Sequence, residues 1–298
     1  MAVYKKTYRP YEGESTPGWS RFLVIPRYAI EDLHRSRFLT VFFLASFLYP
    51  LFCALYIYIV HSTSMLQLLN LQAVSRAISI GTPFFMSLLG WQSMLALFLA
   101  AFIGPGQISP DLANNGLPLY LARPFSRSEY VLGKLSVLVI LLSLMTWVPG
   151  LLLFTFQGYL EGWSWMMDNA RIASGVFFGS WIWILVLTLL ALALSAWVKW
   201  KPAAGALLFG VFFVAAGFGA TVNNVERTKW GDLFNITSMV GSVWVALFGD
   251  PDRTGAVFFR VSRDSPIPQW CCYAMLAGLA LLCLYMLARK IRGAEVVR

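Results

Sequence analysis

Charge is scarce in this chain. Only 12% of its 298 residues are Asp, Glu, Lys or Arg, against roughly 25% in an ordinary soluble domain. The longest apolar runs carry none at all, which weighs against proton- or sodium-driven carriers, ion pumps and intramembrane enzymes, all of which keep costly carboxylates or bases inside the bilayer. A phosphate-cradling G-x-x-x-x-G-K-[ST] loop is also missing. Gly133-Lys134 is followed by Leu135, and Ser128 stands where the first glycine belongs, so the chain is not expected to hydrolyse ATP itself. The four cysteines (Cys53, Cys271, Cys272 and Cys283) lie in or beside apolar runs. They form neither a disulfide framework nor a zinc spacing and read as small packing residues. His34 and His61 are far apart in sequence and the ten methionines are scattered. No catalytic or metal-ligating residue is identified, no internal repeat recurs at a fixed period, and no cleavable signal peptide precedes the first apolar run.

What the chain has in abundance is hydrophobicity, at 58% of residues. Six charge-free runs are long enough to cross a hydrocarbon layer of about 30 Å as helices: Phe38–Val60, Pro83–Gly104, Leu135–Phe156, Ile172–Val198, Pro202–Val222 and Trp270–Ala288. The expected fold is an all-α integral membrane protein. If both termini share a side, that side holds sixteen basic and seven acidic residues, and the other holds seven of each. The whole net charge of +9 therefore falls on one side, assigned to the cytoplasm by the positive-inside rule. The basic pI is a topology signal with no bearing on nucleic acid, and it suits anionic lipid headgroups.

Residues 1–37 form a polar N-terminal segment. Within it Arg21–Arg37 reads as an amphipathic helix: Phe22, Ile25, Pro26, Ala29, Ile30 and Leu33 share one side, and Arg27, Glu31, His34 and Arg35 the other. It is either an elbow lying in the membrane interface or an ordinary cytosolic cap helix. The first span is crowded with aromatics, among them Phe42, Phe43, Phe47 and Tyr49, and Pro50 should kink it. Pro149-Gly150 predicts a second distortion, in span three. Span five places small residues four apart (Ala206/Gly210, Ala215/Gly219, Ala216/Ala220), a spacing that lets helices approach closely in lipid, within the chain or in a second copy. The outward segment 223–269 contains Ile236–Phe248, too short to cross and expected to be re-entrant or interfacial. Asn235-Ile236-Thr237 has the form of a glycosylation acceptor, a triplet that chance often produces.

The loop 105–134 between spans two and three is the largest polar, turn-rich surface on the positive side. Ser109-Pro110-Asp111 reads as a helix start, with Ser as N-cap, Pro at the first helical position and an acid at the positive end of the dipole. Asn114-Asn115-Gly116 can stop that helix. Leu117–Leu121 would form a second short apolar helix, ended by Pro124. Ser126-Arg127-Ser128-Glu129 is a capping box opening span three. The expected product is a helix–turn–helix knuckle projecting from the membrane, with Arg123, Arg127 and Lys134 at headgroup level.

This layout resembles the permease subunits of ABC exporters of the second class (the ABC-type-2 permease family), in Ile108, Asp111, Gly116, Leu119, Leu121, Pro124, Ser126, Arg127, Gly133 and Lys134. Asp111 stands where many members have Glu. The motif covers about 27 residues of the chain, and the hydropathy layout fits over nearly all of it. The resemblance implies six spans (38–288), an elbow helix before them, a cytoplasmic coupling helix after span two, and a short tail (289–298). It implies a second permease copy and two separate ATPase subunits that carry ATP and Mg, with no cofactor on this chain. Residues Ile108, Asp111, Asn115, Gly116, Leu117, Leu119, Leu121, Arg123, Pro124 and Arg127 would couple to the ATPase. A path at the permease dimer interface would use Phe42, Phe43, Phe47, Tyr49, Pro50, Gly210, Gly217 and Gly219, unless these simply face lipid or pack. The cargo would be hydrophobic or amphipathic and leave the cytoplasm across a bacterial inner membrane, with both termini cytoplasmic. The alternative is a membrane-embedded assembly or scaffold subunit with no cargo.

Overall fold

The computed structural model describes residues 18–62, 64, 67, 79–114, 116, 126–249, 259 and 267–291. The described residues are helical with no strand, and six helical stretches are long and apolar enough to cross a membrane. A 3-10 turn, Gly18–Leu23, leads into α1 (Val24–Arg35), the amphipathic elbow. Its Pro26 is buried and its Arg27 and Glu31 are exposed and paired at 3.8 Å. Span one comprises α2 (Arg37–Ala45) and α3 (Leu48–His61), and span two α4 (Thr82–Ile103) and α5 (Pro105–Ala113). Span three comprises α6 (Arg127–Met145) and α7 (Trp147–Glu161). After the short α8 (Trp163–Asp168) come span four, α9 (Ala170–Trp197), and span five, α10 (Lys201–Glu226). The buried α11 (Ile236–Phe248) and span six, α12 (Gln269–Lys290), complete the order. The helices outrun the charge-free runs because polar first and last turns continue them past the apolar boundary.

Two of the breaks were legible as prolines. Span one breaks at Ser46–Phe47, four residues before Pro50, and span three at Thr146, three before Pro149. Proline removes the N–H that would reach back one turn and its ring crowds that carbonyl, so distortion falls on the N-terminal side. In water the freed carbonyl would be solvated, but hydrocarbon offers no such partner. Here the Ser46 carbonyl accepts a 3.2 Å bond from Nε2 of Gln92 on span two, both residues being buried.

Span four is the central post. Of its most apolar window 72% is buried, against 17% for span one, and it touches spans two, three, five and six as well as α5 and α11. Gly175 and Gly179 let α11 close onto it, since a Cβ at these sites would meet the rings of Phe248 and Trp244 at 2.8 and 3.1 Å. Trp244 Nε1–H donates to the Gly179 carbonyl at 2.9 Å, and Trp183 Nε1–H to the Ser93 carbonyl at 2.9 Å. Phe259, fully buried, meets Trp183 edge-on and Trp244 at a tilt, with ring centroids 4.8 and 4.2 Å away.

Thus α11 is enclosed by the bundle and has no broad interfacial face. Its ends are closed by side chains. Asn235 Oδ1 accepts from the Thr237 and Ser238 N–H groups, so the apparent glycosylation residue serves as an N-cap. Arg171 donates to the Ala246 and Leu247 carbonyls at the other end, beside the left-handed Gly249 (φ 67°).

Replacing Gln92 with Leu leaves the Ser46 carbonyl unpaired in the bundle and is expected to cost about 1–2 kcal/mol. In a Pro50→Ala background the restored N–H can take over that carbonyl, so the Gln92→Leu penalty should shrink. Denaturant unfolding of the four chains in mixed micelles measures this coupling, and equal penalties in the two backgrounds would refute it.

Candidate functional site

One end of the bundle gathers the elbow, α5, the start of α6, the turn between spans four and five, and the last turn of span six. Among the described residues this end carries Arg27, Arg35, Arg37, Arg127, Lys134, Lys199, Lys201, Arg289 and Lys290. At the opposite end His61 touches the Ile57 carbonyl (2.8 Å) and Glu161 (3.1 Å), tying span one to span three.

The segment after span two is built differently from its sequence expectation. Helix α5 does not start at Ser109. It begins at Pro105, directly after the turn at Gly104, so Ser109 and Pro110 lie inside the helix and Ser109 is no N-cap. The reason is local and tertiary together. Pro105 already supplies a favourable first helical position, and span four supplies the missing cap. Ser195 Oγ accepts from the Ile108 N–H (3.1 Å) and the Ser109 N–H (3.0 Å) and donates to the Pro105 carbonyl (2.9 Å). Ser109 Oγ–H in turn donates to the Lys199 carbonyl at 2.6 Å. The Lys201 chain packs over Gly106, where a Cβ would meet Nζ at 3.2 Å. Consequently α5 does not project as a free knuckle, and Pro105, Gln107, Ile108 and Ser109 are buried. The helix stops where Asn and Gly were expected to stop it: Asn114 N–H returns to the Pro110 carbonyl and Gly116 N–H to that of Asp111 at 2.7 Å.

Asp111 faces span three. Its Oδ2 accepts from the Tyr130 hydroxyl at 2.7 Å and pairs with Lys134 Nζ at 2.8 Å. The side chains of Lys134 and Asp111 are only 11% and 20% exposed, so this is a largely desolvated, charge-assisted contact. Tyr130 and Lys134 are four apart and therefore share one face of α6. That spacing, on a helix following a loop that contains Asp111, is the sequence signal that could have found the cluster. On the neighbouring face Gly133 admits the elbow, as a Cβ there would lie 2.6 Å from Ile25 Cδ1 and 3.0 Å from the Phe22 carbonyl oxygen. Ser126 and Glu129 form the expected capping box, with bonds of 3.2 and 2.6 Å.

Of the other sequence-picked residues, Ile108 is fully buried and Arg127 is exposed at the start of α6. Asn115, Leu117, Leu119, Leu121, Arg123 and Pro124 lie outside the described residues, as does the second short helix expected there. In the aromatic set, Phe42 meets Phe102 edge-on at 5.9 Å, Phe43 meets Phe47 at 5.3 Å, and Tyr49 meets Trp91 at 6.0 Å. Pro50 is buried. Gly219 touches Gly231 closely, whereas a Cβ at Gly210 or Gly217 would meet nothing within 4 Å. Among the described residues, Gly219 alone of these three is used in packing. Ser195 and Gln92 were not singled out by sequence. A lone hydroxyl or amide in an apolar run carries little signal until the broken helix it serves is known.

The family model for the ABC-2 family transporter protein matches residues 28–239, from the elbow into α11. The chain belongs to the ABC-2 transporter family. No curated protein matches it. As an ABC-2 permease it is the membrane component of an ABC transporter, a family whose transport is driven with an ATPase partner.

Lys134→Met leaves Asp111 without its cation in a mostly buried site and is expected to destabilise the permease by about 2–3 kcal/mol. Adding Asp111→Asn should recover part of that loss. Thermal unfolding in detergent decides it, and a double variant no better than Lys134→Met would show that the pair is not coupled.

Proposed function

We propose that this permease is the membrane subunit of an ATP-driven exporter, and that a separate pair of ATPase subunits docks on the loop after span two. The observation that carries the reading is that α5 follows directly on span two and is held by polar bonds to spans three and four. A push on this segment would therefore reach the bundle instead of dissipating in a loose loop. Residues Leu117, Leu119, Leu121 and Arg123, which follow α5, would supply the surface the ATPase grips. ATP and Mg would be held by that partner.

The cargo is proposed to be hydrophobic or amphipathic. Span two leaves Trp91, Phe98 and Phe102 outside its buried face, beside spans one and five. Phe98 meets Phe209 of span five at 5.2 Å, and Phe102 meets Phe38 and Phe42 of span one. These residues are aromatic and uncharged, and the open glycines Gly210 and Gly217 lie on the helix that flanks them. Such a face suits a second permease copy with an apolar path between the two. The basic end of the bundle would face the cytoplasm, with the protein in a bacterial inner membrane and both termini inside.

Leu119→Asp is expected to abolish stimulation of ATP hydrolysis and ATP-dependent uptake of an amphiphilic dye into inside-out vesicles, while membrane insertion stays normal. A complex that hydrolyses ATP without moving any amphiphile would favour the scaffold reading instead. Labelling a cysteine introduced at Asn114 from outside intact cells would overturn the proposed orientation.

A further inference from the structure

The cap on α5 has an unusual origin. A serine hydroxyl offers one donor and two acceptor positions, and Ser195 spends all three on Pro105, Ile108 and Ser109. Ser195 is fully buried, so water is not a ready substitute. Helix α5 has weak means of holding itself. Gly104-Pro105 interrupts the ladder from α4, and Pro110 gives the Gly106 carbonyl no N–H. Its first turn closes with the Gln107 N–H on the Gly104 carbonyl at 3.0 Å and is braced further by the Ser195 hydroxyl of span four.

Two further contacts act in the same direction. Ser109 Oγ bonds the Lys199 carbonyl just past the end of span four. At Gly104 a Cβ would meet Ala191 Cβ at 2.6 Å, one turn before Ser195. The bend of span two is thus seated on span four over residues 191–199. The Asp111 contact to span three lies at the other end of α5, is formed by side chains alone and keeps some solvent access.

We propose that Ser195 is a positioning residue that pins α5 to span four, so that movement of the segment after span two is passed directly to that central post. Span four then carries α11 with it, through Gly175 and Gly179, and so links the basic end of the bundle to the opposite one. This rests on the transport reading given above, which assigns the segment after span two as the place where the ATPase pushes.

The test uses the full-length permease in nanodiscs of phosphatidylethanolamine and phosphatidylglycerol, with the four native cysteines replaced by alanine. Nitroxide labels are placed at Ala113 and Trp200, both exposed. A narrow distance distribution is expected for the parent and for Ser195→Thr, which keeps the hydroxyl, and a broadened one for Ser195→Ala. In the complex with its ATPase, Ser195→Ala should lower permease-stimulated ATP hydrolysis per purified complex about tenfold, the size expected when buried N–H groups lose their acceptor. ATPase co-purification should be unchanged and Ser195→Thr should restore the stimulation. A narrow distribution in Ser195→Ala overturns the pin. A broadened one with full stimulation overturns its role in transmission. A parent chain that stimulates no ATPase would sink the transport reading, and the label pair alone would then decide whether the pin exists.

Discussion

Hydrocarbon offers a broken helix no water, so the polar groups beside a break are best served by partners within the protein. That constraint organises this permease. Span one is interrupted before Pro50, and span two answers with Gln92 at the Ser46 carbonyl. Span two is interrupted at Gly104-Pro105, and span four answers with Ser195. The C-terminus of α11 is closed by Arg171 of span four. These three sites become directed bonds between neighbours, and together they favour one choice of which helices sit side by side. Apolar packing alone would leave that choice open, because lipid tails compete equally for every apolar face.

The same logic separates the rigid part of the bundle from its margins. Spans two, three and four are mostly enclosed, whereas spans one, five and six expose most of their apolar surface. Small residues decide where enclosure is tightest. Gly150 meets Val176, and Gly175 and Gly179 meet Phe248 and Trp244, so span three and α11 both close on span four. At Gly210 and Gly217 no described residue comes within 4 Å of an added Cβ, a surface open to lipid or to another chain.

At the basic end, polar chemistry is added to close packing. Asp111 with Tyr130 and Lys134, Ser109 with the Lys199 carbonyl, and the Ser126–Glu129 box occupy successive steps of one stretch. The elbow rests on Gly133 between Tyr130 and Lys134. The segment after span two thereby touches, directly or through one residue, the elbow and spans three, four and five. Under the proposed docking of the ATPase here, such bracing would pass a push on to the bundle, which a deformable loop would absorb.

Sequence by itself determined the six spans, the elbow with its polar side outward, both proline breaks, the short apolar helix 236–248, the capping box and the stop after Ala113. All of these depend on local periodicity, proline geometry and cap chemistry, which a single stretch of chain carries within it. Sequence also carried the family, through the loop motif. It placed the start of α5 five residues late and made Asp111 and Ile108 parts of a knuckle projecting from the membrane. Only the tertiary structure turned them inward, because Ser195 lies 87 positions from Ile108 and Gln92 lies 46 from Ser46. No pattern along the chain announces which distant hydroxyl or amide will fill a broken helix, since that partner is chosen by three-dimensional proximity in a solvent that cannot fill it.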